Sequence, residues 1–234
     1  MKKSTAMIAL GGNSLSPKGI AGSIEQQFRY TRDTMDGLSI FIESSYNICI
    51  THGNGPQVGD ALHRMDLTSE QIPPLPLGVC VAGTQGQMGY MIQQSLQNKL
   101  REMEIDREVV TMVTQVIVDK NDESLKNPTK YIGPRYSKDE ILKLSENFNW
   151  NIKEQEPGFW RRVVPSPMPE YIMHGKSIKA LVDRGTIVIA FGGGGIPVFN
   201  TEKNKIQGLD AVIDKDFSAA KMGRIIRAEE FWII

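Results

Sequence analysis

Short apolar runs that end in glycines recur along the chain. The three clearest runs are residues 7–10, 47–50 and 187–191. Runs without polar alternation are typical of strands that are buried on both faces, as in parallel sheets covered by helices. The pattern therefore predicts three interior strands of one parallel sheet.

Longer amphipathic stretches separate these runs and predict helices. They are residues 24–44, 56–65, 83–104 and 176–184. An alternation of buried strands with helices predicts βαβ units with right-handed crossovers. In such sheets ligands bind beyond the carboxyl ends of the strands, which is where the glycines lie. We therefore expect an α/β fold with its site at that edge.

The segment 119–162 departs from this alternation. It is polar, carries three prolines and contains two patches in which basic and aromatic residues adjoin, Lys130-Tyr131 and Trp160-Arg161-Arg162. The aromatic residues could anchor a miniature core, so the segment is not typical of a linker. We expect one domain over residues 1–234, from which 119–162 protrudes as a small lid-like subdomain.

Composition narrows the class of protein further. Of 234 residues, 40% are hydrophobic, which excludes a disordered chain. The 27 basic residues balance 27 acidic ones, so the net charge gives no indication of binding to nucleic acid or to an anionic membrane. Cys49 and Cys80 are too few for a disulfide scaffold or a zinc cluster and are interpreted as small core residues. No stretch reaches the length of a membrane span and the first apolar run is too short for a signal peptide, so we expect a cytoplasmic protein.

The glycine turns are candidate anion-binding elements. Glycine lets backbone N–H groups approach an anion closely, and the turns after the first two strands could face one another across a crevice. One such turn alone is more often only a tight turn, but three at equivalent positions favour binding. The candidate binding residues are Gly11, Gly12, Asn13, Gly53, Asn54, Gly55, Gly193, Gly194 and Gly195.

Named motifs exclude several chemistries. The P-loop pattern GxxxxGK[ST] is absent, so the protein is not a P-loop enzyme. The pattern GxSxG is also absent, which counts against a hydrolase of that type. Residues 53–59 match GxGxxxG, a weak dinucleotide-like pattern, but Pro56 and the lack of an acidic ribose partner count against a nicotinamide cofactor. The three histidines have no metal-ligand spacing, and His52 is interpreted as orienting the glycine turn or as a core residue.

Two lysines are candidates for handling a phosphoryl group. Lys130 stands between prolines and a glycine, and Lys215 follows an apolar run between Asp214 and Asp216. Lysine is a natural point charge for a transferring phosphoryl group, and the aspartates could orient the lysine or a Mg²⁺ ion. Equally, Lys130 could be a solvated loop residue and the Asp-Lys-Asp sequence an exposed helix start, capped by Asp216 and Ser218. Spacing alone leaves both interpretations open.

Taken together, these motifs closely resemble the carbamate kinases, members of the amino acid kinase (acetylglutamate kinase-like) superfamily. The resemblance covers essentially the whole chain. Its motifs occur, in order, at residues 9–13, 51–59, 127–134, 161–167, 190–197 and 211–216.

The resemblance implies a three-layer α/β/α sandwich around a mainly parallel sheet with a protruding subdomain. It implies reversible phosphoryl transfer between ATP and carbamate, giving ADP and carbamoyl phosphate, with ATP formation during arginine or purine breakdown. It also implies a homodimer and a Mg²⁺ ion that accompanies the nucleotide. Lys130 and Lys215 match the family's catalytic lysines, and Asp214 the residue that positions them. The carbamoyl-phosphate turns match Gly11, Gly12, Asn13, Gly53 and Asn54.

The sequence also departs from the family pattern. Residues 77–80 lack a usual acid, and Tyr131 and Arg135 replace commoner residues. Family members continue beyond Ile234, through the adenine site and a further lysine, so we expect a C-terminally incomplete copy that binds nucleotide poorly. The alternative function is therefore a catalytically impaired, kinase-like anion-binding module.

Overall fold

The computed structural model describes residues 3–15 and 23–234. Its strands are β1 Thr5–Leu10, β2 Asn47–His52, β3 Val109–Met112, β4 Gln115–Val118, β5 Lys130–Tyr136, β6 Asn151–Glu156, β7 Phe159–Val164, β8 Pro169–Ile172, β9 Ile187–Ala190, β10 Ile196–Asn200, β11 Ile206–Gly208 and β12 Glu230–Ile233. Its helices are α1 Gly12–Leu15, α2 Ile24–Gly37, α3 Ser39–Glu43, α4 Gly55–Thr68, α5 Leu77–Glu102, α6 Lys138–Phe148, α7 Gly175–Asp183 and α8 Lys215–Ile226. None of the helices in these residues is both long and apolar enough to cross a membrane.

A five-stranded parallel sheet forms the centre, in the order β12-β1-β2-β9-β3. The three predicted interior strands are β1, β2 and β9, and they are adjacent in this sheet. All four residues of β9 and all six of β1 are buried. The prediction of a parallel sheet with strands buried on both faces is confirmed.

Alternate residues of these strands enter two cores, one on each face of the sheet. Ile8 and Ile50 belong to the core beneath α2, α3 and α5, whereas Met7 and Cys49 belong to the core beneath α7 and α8. This gives the α/β/α layering that the resemblance implied. Because helices cover both faces, the carboxyl edge of the sheet is the place left for a site.

Two of the predicted helices differ most from the observed ones. The stretch 24–44 divides at Leu38 into α2 and α3. Helix α5 begins at Leu77, six residues before the predicted start, although its first turns contain glycines that weaken helix propensity. Leu77, Cys80 and Val81 pack into an apolar cluster with α4 and β5, so tertiary burial overrides the local preference.

Two smaller sheets complete the structure. One is mixed, in the order β11-β10-β4-β8, and the other is antiparallel, in the order β5-β7-β6. The antiparallel sheet and α6 occupy most of the segment predicted to protrude, and its aromatics do pack together, with Phe148 and Trp150 stacked at 5.4 Å between ring centres. A lid role for this subdomain stays a prediction. The apolar run at 231–234 is mostly in β12, an edge strand with Trp232 47% exposed.

Candidate functional site

A cleft of about 330 Å³ opens beyond the carboxyl ends of β1, β2 and β9. We call it the glycine cleft. Its walls are formed by Gly12, Gly53, Asn54, Gly55, Pro56, Val58, Lys130, Tyr131, Ile132, Arg161, Gly193, Val212, Ile213, Asp214, Lys215 and Asp216. Six separate segments of the chain therefore meet at the predicted edge of the sheet.

The glycine turns touch one another at this cleft. A Cβ atom on Gly53 would lie 2.9 Å from the backbone nitrogen of Gly12, so a larger residue cannot fit between the two turns. Gly193 has a positive φ of 68°, and a Cβ atom there would lie 2.2 Å from the Asn54 amide. The side-chain amide of Asn54 donates to the Thr84 hydroxyl at 2.9 Å, which anchors this contact to α5. The glycines thus permit a close approach that side chains would prevent.

Not every predicted glycine lies on the cleft wall. The N–H of Gly11 donates to the carbonyl of Ile234 at 2.5 Å, and the carbonyl of Gly194 accepts from the Ser218 hydroxyl at 2.7 Å. Gly195 packs against Val116 instead. Asn13 belongs to α1, but its side chain lies outside the described part of the structure. The backbones of Gly11, Gly194 and Gly195 therefore support the wall rather than form it.

Both candidate lysines reach the cleft, each beside a carboxylate. The ammonium of Lys130, the first residue of β5, lies 3.2 Å from Asp214, and that of Lys215 lies 2.5 Å from Asp216. Asp214 is also the N-cap of α8, since its carboxylate accepts the N–H of Asp216 at 2.9 Å. The Asp-Lys-Asp sequence is thus a helix start and part of the cleft at once. The expected caps Asp216 and Ser218 do not cap α8, because Asp214 occupies that position.

Asp214 remains ionised for identifiable reasons. Burial by itself would raise the pKa of its carboxyl, but the N–H of Asp216 and the charge of Lys130 outweigh that effect, with Lys215 adding to it, so the pKa is lowered. An ionised Asp214 keeps Lys130 in place at neutral pH. The positioning role that the resemblance implies for Asp214 stays a prediction.

His52 and Gln85 support the turns from below. His52 is 1% exposed, its Nδ1 lies 3.1 Å from the Gly53 carbonyl, and burial lowers its pKa to about 4, so the imidazole is neutral. A Cβ atom on Gly192 would lie 2.2 Å from the imidazole. The amide of Gln85 donates to the Gly192 carbonyl at 3.1 Å. The sequence indicated the role of His52 but gave no signal for Gln85.

Sequence reasoning also missed several residues of the wall. Arg161 and Tyr131 lie on neighbouring strands of the antiparallel sheet, and Val212 and Ile213 form the apolar run before α8. The signals for Arg161 and Tyr131 were their membership of the basic-aromatic patches and of two motifs of the resemblance, but neither signal assigned them to the site. The resulting cleft combines backbone N–H groups, cations and two carboxylates, a set suited to a phosphorylated anion.

Comparison of the sequence with known proteins shows the family to which the chain belongs. The model of the amino acid kinase family matches residues 4–234, and the chain belongs to this family. A carbamate kinase from Pyrococcus furiosus is 46% identical over 97% of this chain and 73% of the relative. A carbamate kinase-like protein from Escherichia coli is 44% identical over 97% of this chain and 72% of the relative.

Solved structures agree with this placement. Carbamate kinase from Giardia lamblia bound to AMP-PNP superposes with a TM-score of 0.91 at 34% identity, over 99% of this chain and 73% of the other. The implied fold class is therefore confirmed. The weak dinucleotide-like match at residues 53–59 is instead the turn and first helical residues that follow β2 in an amino acid kinase.

Proposed function

We propose that this protein is a carbamate kinase, which transfers a phosphoryl group reversibly between ATP and carbamate to give ADP and carbamoyl phosphate. The observation that carries the proposal is the meeting of Lys130 and Lys215 with the glycine turns in one cleft, in a chain 46% identical to a carbamate kinase. The names of the relatives favour this enzyme over the alternative of an impaired anion-binding module.

The proposed mechanism relies on positioning and charge. Phosphoryl transfer needs little covalent help from a protein, so most of the catalysis comes from alignment and neutralisation of the oxygens that carry transition-state charge. Backbone N–H groups at Gly12 and Gly193 would hold the anionic substrate, whereas the N–H of Gly53 donates to the Leu10 carbonyl at 2.9 Å and so fixes the turn. Lys130 and Lys215 would cover the phosphoryl oxygens, with Asp214 fixing Lys130 at 3.2 Å.

We propose that Mg²⁺ arrives with the nucleotide. The described residues contain no group of three or more His, Cys, Asp or Glu side chains that could hold a metal ion by themselves. The cleft does supply the carboxylates of Asp214 and Asp216, and Mg²⁺ is commonly bound by one or two carboxylates together with substrate phosphates. Such an ion would neutralise charge on the phosphate oxygens, while Asp214 and Asp216 would orient it.

We also propose a homodimer, which the exposed face of α5 supports. Val79, Gly83, Gly86 and Tyr90 lie along this face, and all four are exposed. Added Cβ atoms on Gly83 and Gly86 would meet nothing within 4 Å, so neither glycine is required by the chain's own packing. A glycine inside a helix destabilises it by about 1 kcal/mol relative to alanine. Close approach of a second copy of the chain would explain why glycines occur on this face.

The experiment that tests the function is an assay of ATP formation. Purified protein is mixed with carbamoyl phosphate and Mg-ADP, and ATP is measured by luminescence, with each component omitted in turn. We expect ATP only in the complete mixture. Failure to form ATP from carbamoyl phosphate at any protein concentration would contradict the proposal.

A further inference from the structure

Arg161 is the one cation on the described wall of the glycine cleft that has no carboxylate partner. Lys130 pairs with Asp214 and Lys215 with Asp216. The arginines that neighbour Arg161 in the antiparallel sheet are also paired, Arg135 with Glu156 at 2.9 Å and Arg162 with Asp210 at 2.5 Å. Arg161 thus brings an uncompensated positive charge to the cleft.

The guanidinium of Arg161 is held in a fixed orientation. Its Nη2 donates to the Gly133 carbonyl at 2.7 Å and its Nη1 to the Gln155 side chain at 3.3 Å. The guanidinium carbon lies 5.9 Å from the centre of the Tyr131 ring. These contacts use only some of its five N–H groups, since Nε is buried without a hydrogen-bond partner among the described residues.

An anion beside Arg161 would compensate for the hydration that its guanidinium loses on burial, which no carboxylate among the described residues does. Burial lowers the pKa of Arg161, and the charge of Arg135 acts in the same direction. A partly buried guanidinium without a counterion is destabilising, and an oxyanion within hydrogen-bond distance compensates for the lost hydration. The cleft therefore favours binding of an oxyanion beside Arg161 as well as beside the two lysines.

The shape of the guanidinium indicates which end of the substrate it takes. An ammonium is a compact point charge suited to a tetrahedral phosphoryl group, whereas a guanidinium is a planar fork that matches a planar pair of oxygens. We propose that Arg161 binds the planar end of the substrate, which is the carboxylate of carbamate or the carbonyl and bridging oxygens of carbamoyl phosphate, while the two lysines take the phosphoryl group. Arg161 is then a specificity-determining residue for the acceptor, an inference that rests on the proposed function.

The test compares three folded variants in the ATP-forming assay. Arg161→Gln removes the charge and the fork, and Arg161→Lys keeps only the charge. We expect the KM for carbamoyl phosphate to rise about tenfold or more in Arg161→Gln, equivalent to about 1.4 kcal/mol, and to stay raised in Arg161→Lys. The KM for ADP should change less than about twofold on the same scale. Arg135→Gln, an exposed arginine of the same sheet, is the matched control and should leave both KM values unchanged.

The outcomes separate this inference from the function on which it rests. A wild-type protein that forms no ATP removes the proposed function and this inference with it. An active wild type with an unchanged carbamoyl-phosphate KM in Arg161→Gln overturns the inference alone. Full restoration by lysine, or a parallel rise in the KM for ADP, would equally contradict it. If Arg161→Gln does not fold, as judged by circular dichroism, the comparison with Arg161→Lys decides.

Discussion

At the scale of single residues, the chemistry depends on charges that come from distant parts of the chain. Lys130 starts a strand, Lys215 starts a helix, and Asp214 joins them by pairing with the first and capping the helix of the second. Each residue serves the local structure and the cleft together. Removing a lysine therefore tests catalysis, whereas removing Asp214 would also disturb α8.

We predict that Lys130→Ala and Lys215→Ala each lower kcat by about 10²–10³-fold, because each removes one contact that stabilises transition-state charge. The assay of ATP formation measures the effect, and circular dichroism checks the fold. Lys126→Ala is the control, since its side chain is 72% exposed and lies away from the cleft. Near wild-type rates in both cleft variants would show that the lysines are wrongly assigned.

His52 gives a pH dependence of stability. In the unfolded chain its pKa is near the ordinary 6.5, whereas burial lowers it to about 4 in the folded protein. Between these values the unfolded state binds more protons, so stability rises with pH and is lost as pH falls from about 6.5 towards 4. The contribution is about 3 kcal/mol at most.

We predict that His52→Gln removes this part of the pH dependence. Urea unfolding at pH values across the window measures it for wild type and variant. His63→Gln is the control, because His63 is exposed and its replacement should preserve the slope. An equal slope in wild type and His52→Gln would indicate that another group is responsible.

At the scale of elements, the turn after β9 lines the cleft with Gly193, whereas Gly194 and Gly195 pack behind the wall. Gly194 has a φ of 91°, and a Cβ atom on it would lie 2.3 Å from the Ile213 carbonyl oxygen. The turn thus packs directly on the segment that carries Asp214 and Lys215. Any residue with a side chain would be strained there and would push that segment away.

We predict that Gly194→Ala destabilises the protein by at least about 1–3 kcal/mol from backbone strain alone and lowers activity with it. Chemical denaturation measures the stability. Gly37→Ala is the matched control, since an added Cβ atom there meets nothing within 4 Å, and it should be neutral or stabilise by about 0.4–1 kcal/mol. Equal stability of the two variants would contradict the packing described for the turn.

Some elements could be predicted from the sequence and others could not. Strands β1, β2 and β9 could be predicted because burial on both faces leaves an uninterrupted apolar run. The early start of α5 could not, since its glycines weaken the local signal and burial of Leu77 decides the boundary. Likewise, Arg161 lies on β7 opposite an irregularity in the pairing with β5, where the register shifts between Ile132 and Tyr136. That pairing depends on long-range contacts with no local signature.

At the scale of the whole molecule, the antiparallel sheet is tied to the body next to the cleft. Arg162 of β7 pairs with Asp210 at 2.5 Å, and the Tyr136 hydroxyl donates to Asp66 of α4 at 2.6 Å. An apolar cluster that includes Val58 and Ile132 continues this contact. Lys130 and Arg161 are therefore carried by a small sheet whose position relative to α4 sets the width of the cleft.

The oligomeric state is also a property of the whole molecule. We expect the wild type to sediment as a dimer and Gly86→Arg to sediment as a folded monomer, because a charged side chain would block close approach of two α5 faces. Asn98→Arg, also exposed on α5 but off that face, should remain dimeric. A monomeric wild type, or a dimeric Gly86→Arg, would contradict the proposed interface.

The most direct test of the central claim is ³¹P nuclear magnetic resonance of carbamoyl phosphate and Mg-ADP with the wild-type protein. We expect the carbamoyl-phosphate signal to fall while the γ-phosphate signal of ATP rises by an equal amount. Inorganic phosphate should increase no faster than in a sample without protein. Loss of carbamoyl phosphate to inorganic phosphate without matching ATP, or no protein-dependent change at all, would contradict phosphoryl transfer in this cleft.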